Sequence, residues 1–165
     1  MKITICGSVI FQDKVLSTKE KLEKLGHEVK IWPLEVNNEK EQLIPVKEYY
    51  EIRQRANNDE KWVWDRKAEA IMEHFDKIAQ SDAILVANYD KVIEASPHLP
   101  PHSTSPRSAN NVKGYIGGNT LMEMGLAFFL KKKIYLLNEV PELSYKEEIL
   151  GVKPIILHND LTKIQ

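Results

Sequence analysis

Residues 83–87, Ala-Ile-Leu-Val-Ala, constrain the fold of this chain more than any other stretch. No polar residue interrupts the run, so a strand formed here must be buried on both of its faces. Residues 2–6 form a second run rich in β-branched residues, and Gly7-Ser8 ends it as a tight turn. Strands buried on both faces are typical of parallel sheets, whose crossover helices cover each face. The sequence therefore predicts an α/β protein.

The remaining pattern predicts how these strands are connected. Gly26 ends a helix that begins near Asp13, and Pro33 ends a strand over residues 27–32. The later predicted elements are two helices within residues 39–80 broken near residues 57–59, a helix over 121–130, a strand over 134–137, a short helix over 141–150 and a strand over 154–157. The order predicts a three-layer αβα sandwich with a flavodoxin-like, doubly wound parallel sheet of five strands in the order 2-1-3-4-5.

Composition narrows the class of protein. The 165 residues fit one domain over 1–165, and the net charge of −1 argues against a nucleic acid polymer or a membrane surface as partner. Cys6 is the single cysteine, which excludes an intramolecular disulfide and fits a reducing cytoplasm, and no apolar run reaches membrane length. We expect no cofactor and no metal, because His98 and His102 are isolated and the turn after the first strand lacks the Ser and Thr run of a flavin phosphate site.

The stretch Tyr-Ile-Gly-Gly-Asn-Thr-Leu-Met-Glu-Met-Gly, residues 115–125, carries the main functional hypothesis. Two glycines before a helix allow close approach of a ligand to the free N–H groups of the first turn, which suit phosphate or carboxylate. Glu123 would then lie beside that ligand. The alternative interpretation is a capping box, in which Thr120 and Glu123 only satisfy the N–H groups at the start of the helix.

The predicted fold locates the ligand. In doubly wound sheets the ligand binds beyond the carboxyl ends of the strands, at the switch point between strands one and three. This rule collects Gly7, Ser8 and Phe11 after the first strand, Asn88 and Asp90 after the third, and Gly117, Gly118, Asn119, Thr120 and Glu123 at the helix start. Asp90 can instead form an Asx turn. Tyr115 can stack on a base or pack its loop. A packed, inert thiol is the expected role of Cys6.

Together these residues resemble the nucleoside 2-deoxyribosyltransferase superfamily, and its largely uncharacterised deoxyribosyltransferase-like branch most of all. The similar segments are Gly-Ser-x-x-Phe at residues 7–11, Ser-Asp-Ala-Ile-Leu-Val-Ala-Asn at 81–88, and residues 115–127 with the Lys-Lys-Ile-Tyr-Leu-Leu-Asn and Pro-Glu that follow. The resemblance implies N-glycosidic bond cleavage or transfer on a nucleoside or nucleotide, as an N-glycosidase (a hydrolase) or a deoxyribosyltransferase. It also implies a homo-oligomer, which the apolar helix over residues 121–130 favours.

The resemblance further implies residue roles. Glu123 matches the Glu that attacks the anomeric carbon, while Gly117, Gly118 and the backbone around Ser8 would bind sugar hydroxyls or a 5′-phosphate. His74 occupies the position of an Asp that serves the departing base, and Asp90 is the other candidate for that acid. His74 can instead be a packed core histidine.

The sequence leaves alternatives open for the role of the long loop and for the function of the domain. The long loop over residues 93–113, or about 91–114, is either a lid over the site or a tolerated insertion. The whole domain is either an enzyme or a nucleotide- or nucleotide-sugar-binding module that has kept the pocket without the acid.

Overall fold

The computed structural model describes residues 1–93 and 110–165. Its strands are β1 (Lys2–Cys6), β2 (Glu28–Lys30), β3 (Glu35–Asn37), β4 (Leu43–Pro45), β5 (Ala83–Val86), β6 (Lys91–Ile93), β7 (Asn110–Val112), β8 (Lys133–Leu136) and β9 (Ile155–Ile156). Its α-helices are α1 (Gln12–Lys24), α2 (Val46–Arg55), α3 (Lys61–Ala79), α4 (Gly118–Phe129) and α5 (Lys146–Gly151).

One five-stranded sheet forms the centre of the fold, in the order β2-β1-β5-β8-β9, and all of its pairings are parallel. Counting only these strands, the order is 2-1-3-4-5. The predicted flavodoxin-like, doubly wound α/β sandwich is therefore confirmed. Gly26, with φ of +87°, ends the turn between α1 and β2 as predicted.

Side chains alternate between the two faces of the sheet, as the pleat of a strand requires. Ile3 and Ile5 of β1 pack into a core with Val15 and Leu22 of α1. Cys6 points to the other face, into a core that includes Ile78 of α3, Met124 and Ala127 of α4, and Ile149 of α5. The helices α3 and α4 therefore cover the face that receives Cys6.

Two short antiparallel hairpins lie outside the main sheet. The pair β3–β4 occupies part of the region predicted as helical from residue 39, so that prediction was wrong for its first residues; α2 and α3 follow, and they separate near residues 57–59 as predicted. The pair β6–β7 joins the two ends of the long predicted loop. The proposed lid itself lies mainly in residues 94–109, outside the described residues.

The helices differ in how much apolar surface they expose. Among the described residues, no helix combines the length and the apolar character needed to cross a membrane. The helix α4 keeps Met122, Phe128 and Phe129 exposed, with Phe129 at 80%. The homo-oligomer stays a prediction.

Candidate active site

A cleft of about 660 Å³ opens beside the carboxyl end of β1. The structure brings together most of the residues named from the sequence: Gly7, Ser8, His74, Tyr115, Gly117, Gly118, Asn119, Thr120 and Glu123 all line it. The rest of the lining includes α2 and α3. A cleft at this edge of a doubly wound sheet is where the fold places a ligand.

The helix α4 begins earlier than the capping-box interpretation requires. Gly117, with extended backbone, is the N-cap residue, and within the described ranges no side chain caps this helix. Thr120 is consequently the third residue of the helix and is buried, while Oε2 of Glu123 has no hydrogen-bond partner within residues 1–93 and 110–165. The capping box was therefore wrong. The first-turn residues Gly118, Asn119 and Thr120 border the cleft instead.

Gly117 also has a packing reason to lack a side chain. A Cβ at this position would lie 3.2 Å from the phenolic oxygen of Tyr115. The glycine thus lets the Tyr115 ring lie close against the start of α4, where both line the cleft.

Glu123 lies deep in the cleft, where it meets Cys6 and His74. The three side chains come from α4, β1 and α3, and their sulfur, nitrogen and carboxylate oxygen atoms lie within 4.8 Å of one another. Nε2 of His74 is 3.8 Å from Oε1 of Glu123, whose side chain is 12% exposed. Helical spacing explains the convergence, because His74 precedes the core residue Ile78 by one turn and so points inward.

Burial controls the charges of this cluster. It raises the pKa of Glu123 to about 8, against smaller opposing effects of Cys6 and Lys67. It lowers the pKa of His74 to about 4, with the nearby Lys77 acting in the same direction. Burial, and then the charge of Glu123, raises the pKa of the Cys6 thiol. Near neutral pH the cluster is thus a carboxylic acid, a neutral imidazole and a thiol, an arrangement that buries no charge.

Several buried polar atoms in and around the cleft have no hydrogen-bond partner in the part of the chain that the structure describes. They include both ring nitrogens of His74, Oε2 of Glu123 and Nε1 of Trp32. Trp32 and His74 both line the cleft, and their rings lie 6.4 Å apart. A buried donor or acceptor without a partner costs free energy, so these atoms mark positions where a bound group can be stabilised.

Cations and aromatic rings form much of the remaining lining, and the sequence reasoning missed most of them. The cations are Arg53, Lys67 and Lys91, and the rings are Trp32, Tyr49, Tyr50, Trp64 and Tyr115. Burial lowers the pKa of Lys67 to about 8, and Arg53 acts in the same direction. The guanidinium of Arg53 lies 5.8 and 5.2 Å from the rings of Tyr49 and Tyr50. Arg53 follows Tyr49 and Tyr50 by about one helical turn, and this spacing could have predicted the contact between the guanidinium and the two rings.

Phe11, Asn88 and Asp90 are not among the lining residues. Phe11 is buried edge-to-face against Tyr89. Asn88 is buried and bonds the backbone, donating to the carbonyl of Glu139 at 2.9 Å and accepting from the N–H of Asn138. Asp90 accepts the N–H of Gly114 at 2.8 Å, and because Gly114 lies 24 residues along the chain this bond is not the Asx turn that the alternative expects. These polar groups organise the loops beside the cleft.

Comparison of the chain with protein-family models, curated proteins and solved structures finds no match.

Proposed function

We propose that this protein cleaves the N-glycosidic bond of a nucleoside or nucleotide, passing the sugar to water or to a second base. The observation that carries the proposal is the carboxyl group of Glu123 in a cleft lined by aromatic rings and cations. Aromatic rings suit a planar base, and cations suit a phosphate. The start of α4 adds free N–H groups for the same anion.

In the proposed reaction Glu123, as the carboxylate, attacks the anomeric carbon. The bond from that carbon to the base nitrogen breaks, and its electron pair leaves with the base. Water, or a nitrogen of a second base, then attacks the glycosyl ester and releases Glu123.

The departing base needs a proton, and the contacts and pKa values support Lys67 as its source better than either candidate named from the sequence. Asp90 is engaged with Gly114 and does not line the cleft. With its pKa near 4, His74 is neutral at physiological pH and can offer a hydrogen bond but no cationic acid. Lys67 lines the cleft and has its pKa lowered to about 8, so we assign it the proton transfer.

The second candidate is a nucleotide-binding module that performs no chemistry. One observation favours it: the pKa of Glu123, raised to about 8, keeps this group largely protonated at pH 7. A protonated carboxyl donates a hydrogen bond but is a poor nucleophile.

A base-release assay separates the two candidates. The full chain is incubated between pH 6 and 9 with a panel of nucleosides and nucleoside 5′-monophosphates, with a chelator present, and free base is measured by chromatography. We expect release by the unchanged protein and its loss in Glu123→Ala. The matched control is Glu20→Gln, an exposed carboxylate on α1. Saturable nucleotide binding without release from any substrate would support the binding module, and release that survives Glu123→Ala would exclude this nucleophile.

A further inference from the structure

The cluster of Cys6, His74 and Glu123 brings sulfur, nitrogen and oxygen donors together from three separate elements of the fold. We propose that these three side chains bind a divalent transition-metal ion with the preferences of zinc. No metal is expected from the sequence, because His98 and His102 are isolated and Cys6 has no neighbouring ligand along the chain. The inference goes beyond the proposed function and does not depend on it.

The distances suit such an ion. Bonds of about 2.3 Å to sulfur and about 2.0–2.2 Å to nitrogen or oxygen place tetrahedral ligand atoms roughly 3.3 to 3.6 Å apart. Nε2 of His74 and Oε1 of Glu123 are 3.8 Å apart, and all three ligand atoms lie within 4.8 Å of one another. Movements of roughly an ångström or less, available to side-chain rotations, would close this set around an ion.

The unpartnered atoms are an independent observation that points to a ligand. His74 is 4% exposed, and neither of its ring nitrogens has a partner with full hydrogen-bond geometry among the described residues, although the backbone of Ile5 lies close enough to raise the pKa of the ring. Oε2 of Glu123 is also buried and has no partner in the described part of the chain. Native proteins pair most such atoms, and a metal would satisfy the carboxylate and the ring nitrogen bonded to it, while the other ring nitrogen keeps its need for an acceptor such as the backbone of Ile5.

The position of the cluster indicates the type of site. His74 and Glu123 also line the cleft, so an ion held by three protein ligands would keep one coordination position toward it. Structural zinc sites are usually closed by four protein ligands, whereas three ligands leave room for water or for an oxygen of a bound molecule. The ligand class that fits is a molecule with a phosphate or carboxylate group, one oxygen of which would lie between this ion and the cations of the cleft.

Metal binding and nucleophilic attack compete for the same carboxylate. An ion bonded to Glu123 removes the electron pair that the glycosidic reaction needs, so the loaded protein should release no base by that route. Metal binding can nevertheless be measured without any nucleotide. Failure of one proposal is therefore distinguishable from failure of the other.

The test uses the full chain, treated with a chelator, dialysed and titrated with Co²⁺ under reducing conditions. We expect one equivalent to produce visible bands of tetrahedral cobalt and a near-ultraviolet thiolate-to-cobalt band, both displaced by Zn²⁺. The thiolate band should disappear in Cys6→Ser. Affinity should fall by about 100-fold or more in His74→Asn and Glu123→Gln. Circular dichroism establishes that each variant is folded.

The control is His158→Asn, because His158 and Glu139 form an exposed hydrogen-bonded pair that could bind metal at the surface. His158 has a φ of +52°, a conformation that Asn tolerates. This variant should bind Co²⁺ as the unchanged protein does. Absence of the thiolate band in the unchanged protein, or equal binding by folded Cys6→Ser, would overturn the proposal. If Cys6→Ser does not fold, Glu123→Gln replaces it, because this substitution conserves the side-chain shape. Equal Co²⁺ binding by folded Glu123→Gln would then overturn the proposal.

Discussion

Nε2 of His74 lies 3.8 Å from Oε1 of Glu123, and neither group is charged near neutral pH. Burial causes both shifts, because it penalises an imidazolium and a carboxylate alike. If the two formed an ordinary ion pair, attraction would lower the pKa of Glu123, whereas that pKa is raised to about 8. The proposed chemistry must therefore begin with loss of a proton from Glu123.

The pH dependence of base release follows from this requirement. Glu123 must be deprotonated and Lys67 protonated, and the pKa values of both lie near 8. In chelator-treated protein we expect kcat/KM to be bell-shaped with its maximum near pH 8, and its limbs to belong to the coupled pair. Lys67→Met should lower the maximum by about 10²-fold or more and remove the falling limb. An unchanged falling limb in Lys67→Met would contradict the assignment of the acid.

Stability should also depend on pH through Glu123. Its pKa is raised from 4.5 to about 8, so its contribution is complete below pH 4.5 and is lost as pH rises through 8. The lowered pKa of His74 opposes this trend only below about pH 6.5, and the lowered pKa of Lys67 opposes it only above about pH 8. Between pH 6.5 and 8 the free energy of unfolding should therefore fall by up to about 1.4 kcal/mol per pH unit.

Urea unfolding at half-unit steps of pH, with a chelator present, measures this slope. Glu123→Gln should abolish it, because the amide does not titrate, while the exposed control Glu20→Gln should retain it. The same slope in all three proteins would show that Glu123 does not titrate in this range.

The central sheet could be predicted because its strands carry strong local patterns. The β1 and β5 runs are buried on both faces, and Gly26 has the positive φ expected after a helix. The hairpin β3–β4 could not be predicted, because its strands have three residues each and the charged residues between them favour a helical interpretation. Strands of that length lack the periodicity that distinguishes them from a polar helix.

The position of the site could be predicted from the sequence, but the orientation of its side chains could not. The rule for doubly wound sheets identifies the edge where ligands bind, yet it does not say which way each side chain points. Asn88 and Asp90 follow β5 as expected, but they bond the backbone. The sequence predicted an inert, packed thiol at Cys6. Its approach to His74 could not be predicted, because it depends on how α3 packs across β1. No local pattern in the sequence contains that packing.

Arg53 should recognise the phosphate of a nucleotide. It lines the cleft over the rings of Tyr49 and Tyr50, while Arg55 at the end of the same helix is exposed and is not among the lining residues. We expect Arg53→Gln to weaken binding of a nucleoside 5′-monophosphate by about tenfold or more, since bonds to charged groups contribute about 1.5–3 kcal/mol. Binding of the nucleoside alone should change little, and Arg55→Gln should affect neither ligand.

Calorimetric titrations with the two ligands measure this difference. The affinity of the unchanged protein for the monophosphate should also decrease with salt, as expected for a charged contact. An equal loss of affinity for nucleoside and monophosphate in Arg53→Gln would place the guanidinium against the base or sugar instead.

Gly114 should be the less replaceable of the two glycines with positive φ. A Cβ there would lie 2.8 Å from the carbonyl oxygen of Glu139 and 2.9 Å from Nδ2 of Asn88, whereas a Cβ at Gly26 meets nothing within 4 Å. Gly26→Ala therefore measures the cost of the left-handed conformation alone, about 1–2 kcal/mol in the free energy of unfolding. Gly114→Ala should cost about 1–3 kcal/mol more, because the clash forces apart bonded groups.

Urea unfolding of both variants gives the comparison. Since Asn88 and Asp90 both bond the backbone of Gly114, the extra loss would measure how firmly these residues hold the segment that leads to Tyr115 and α4. Equal losses in the two variants would mean that this segment shifts at little cost, and that Asn88 and Asp90 do not fix the start of α4 beside the cleft.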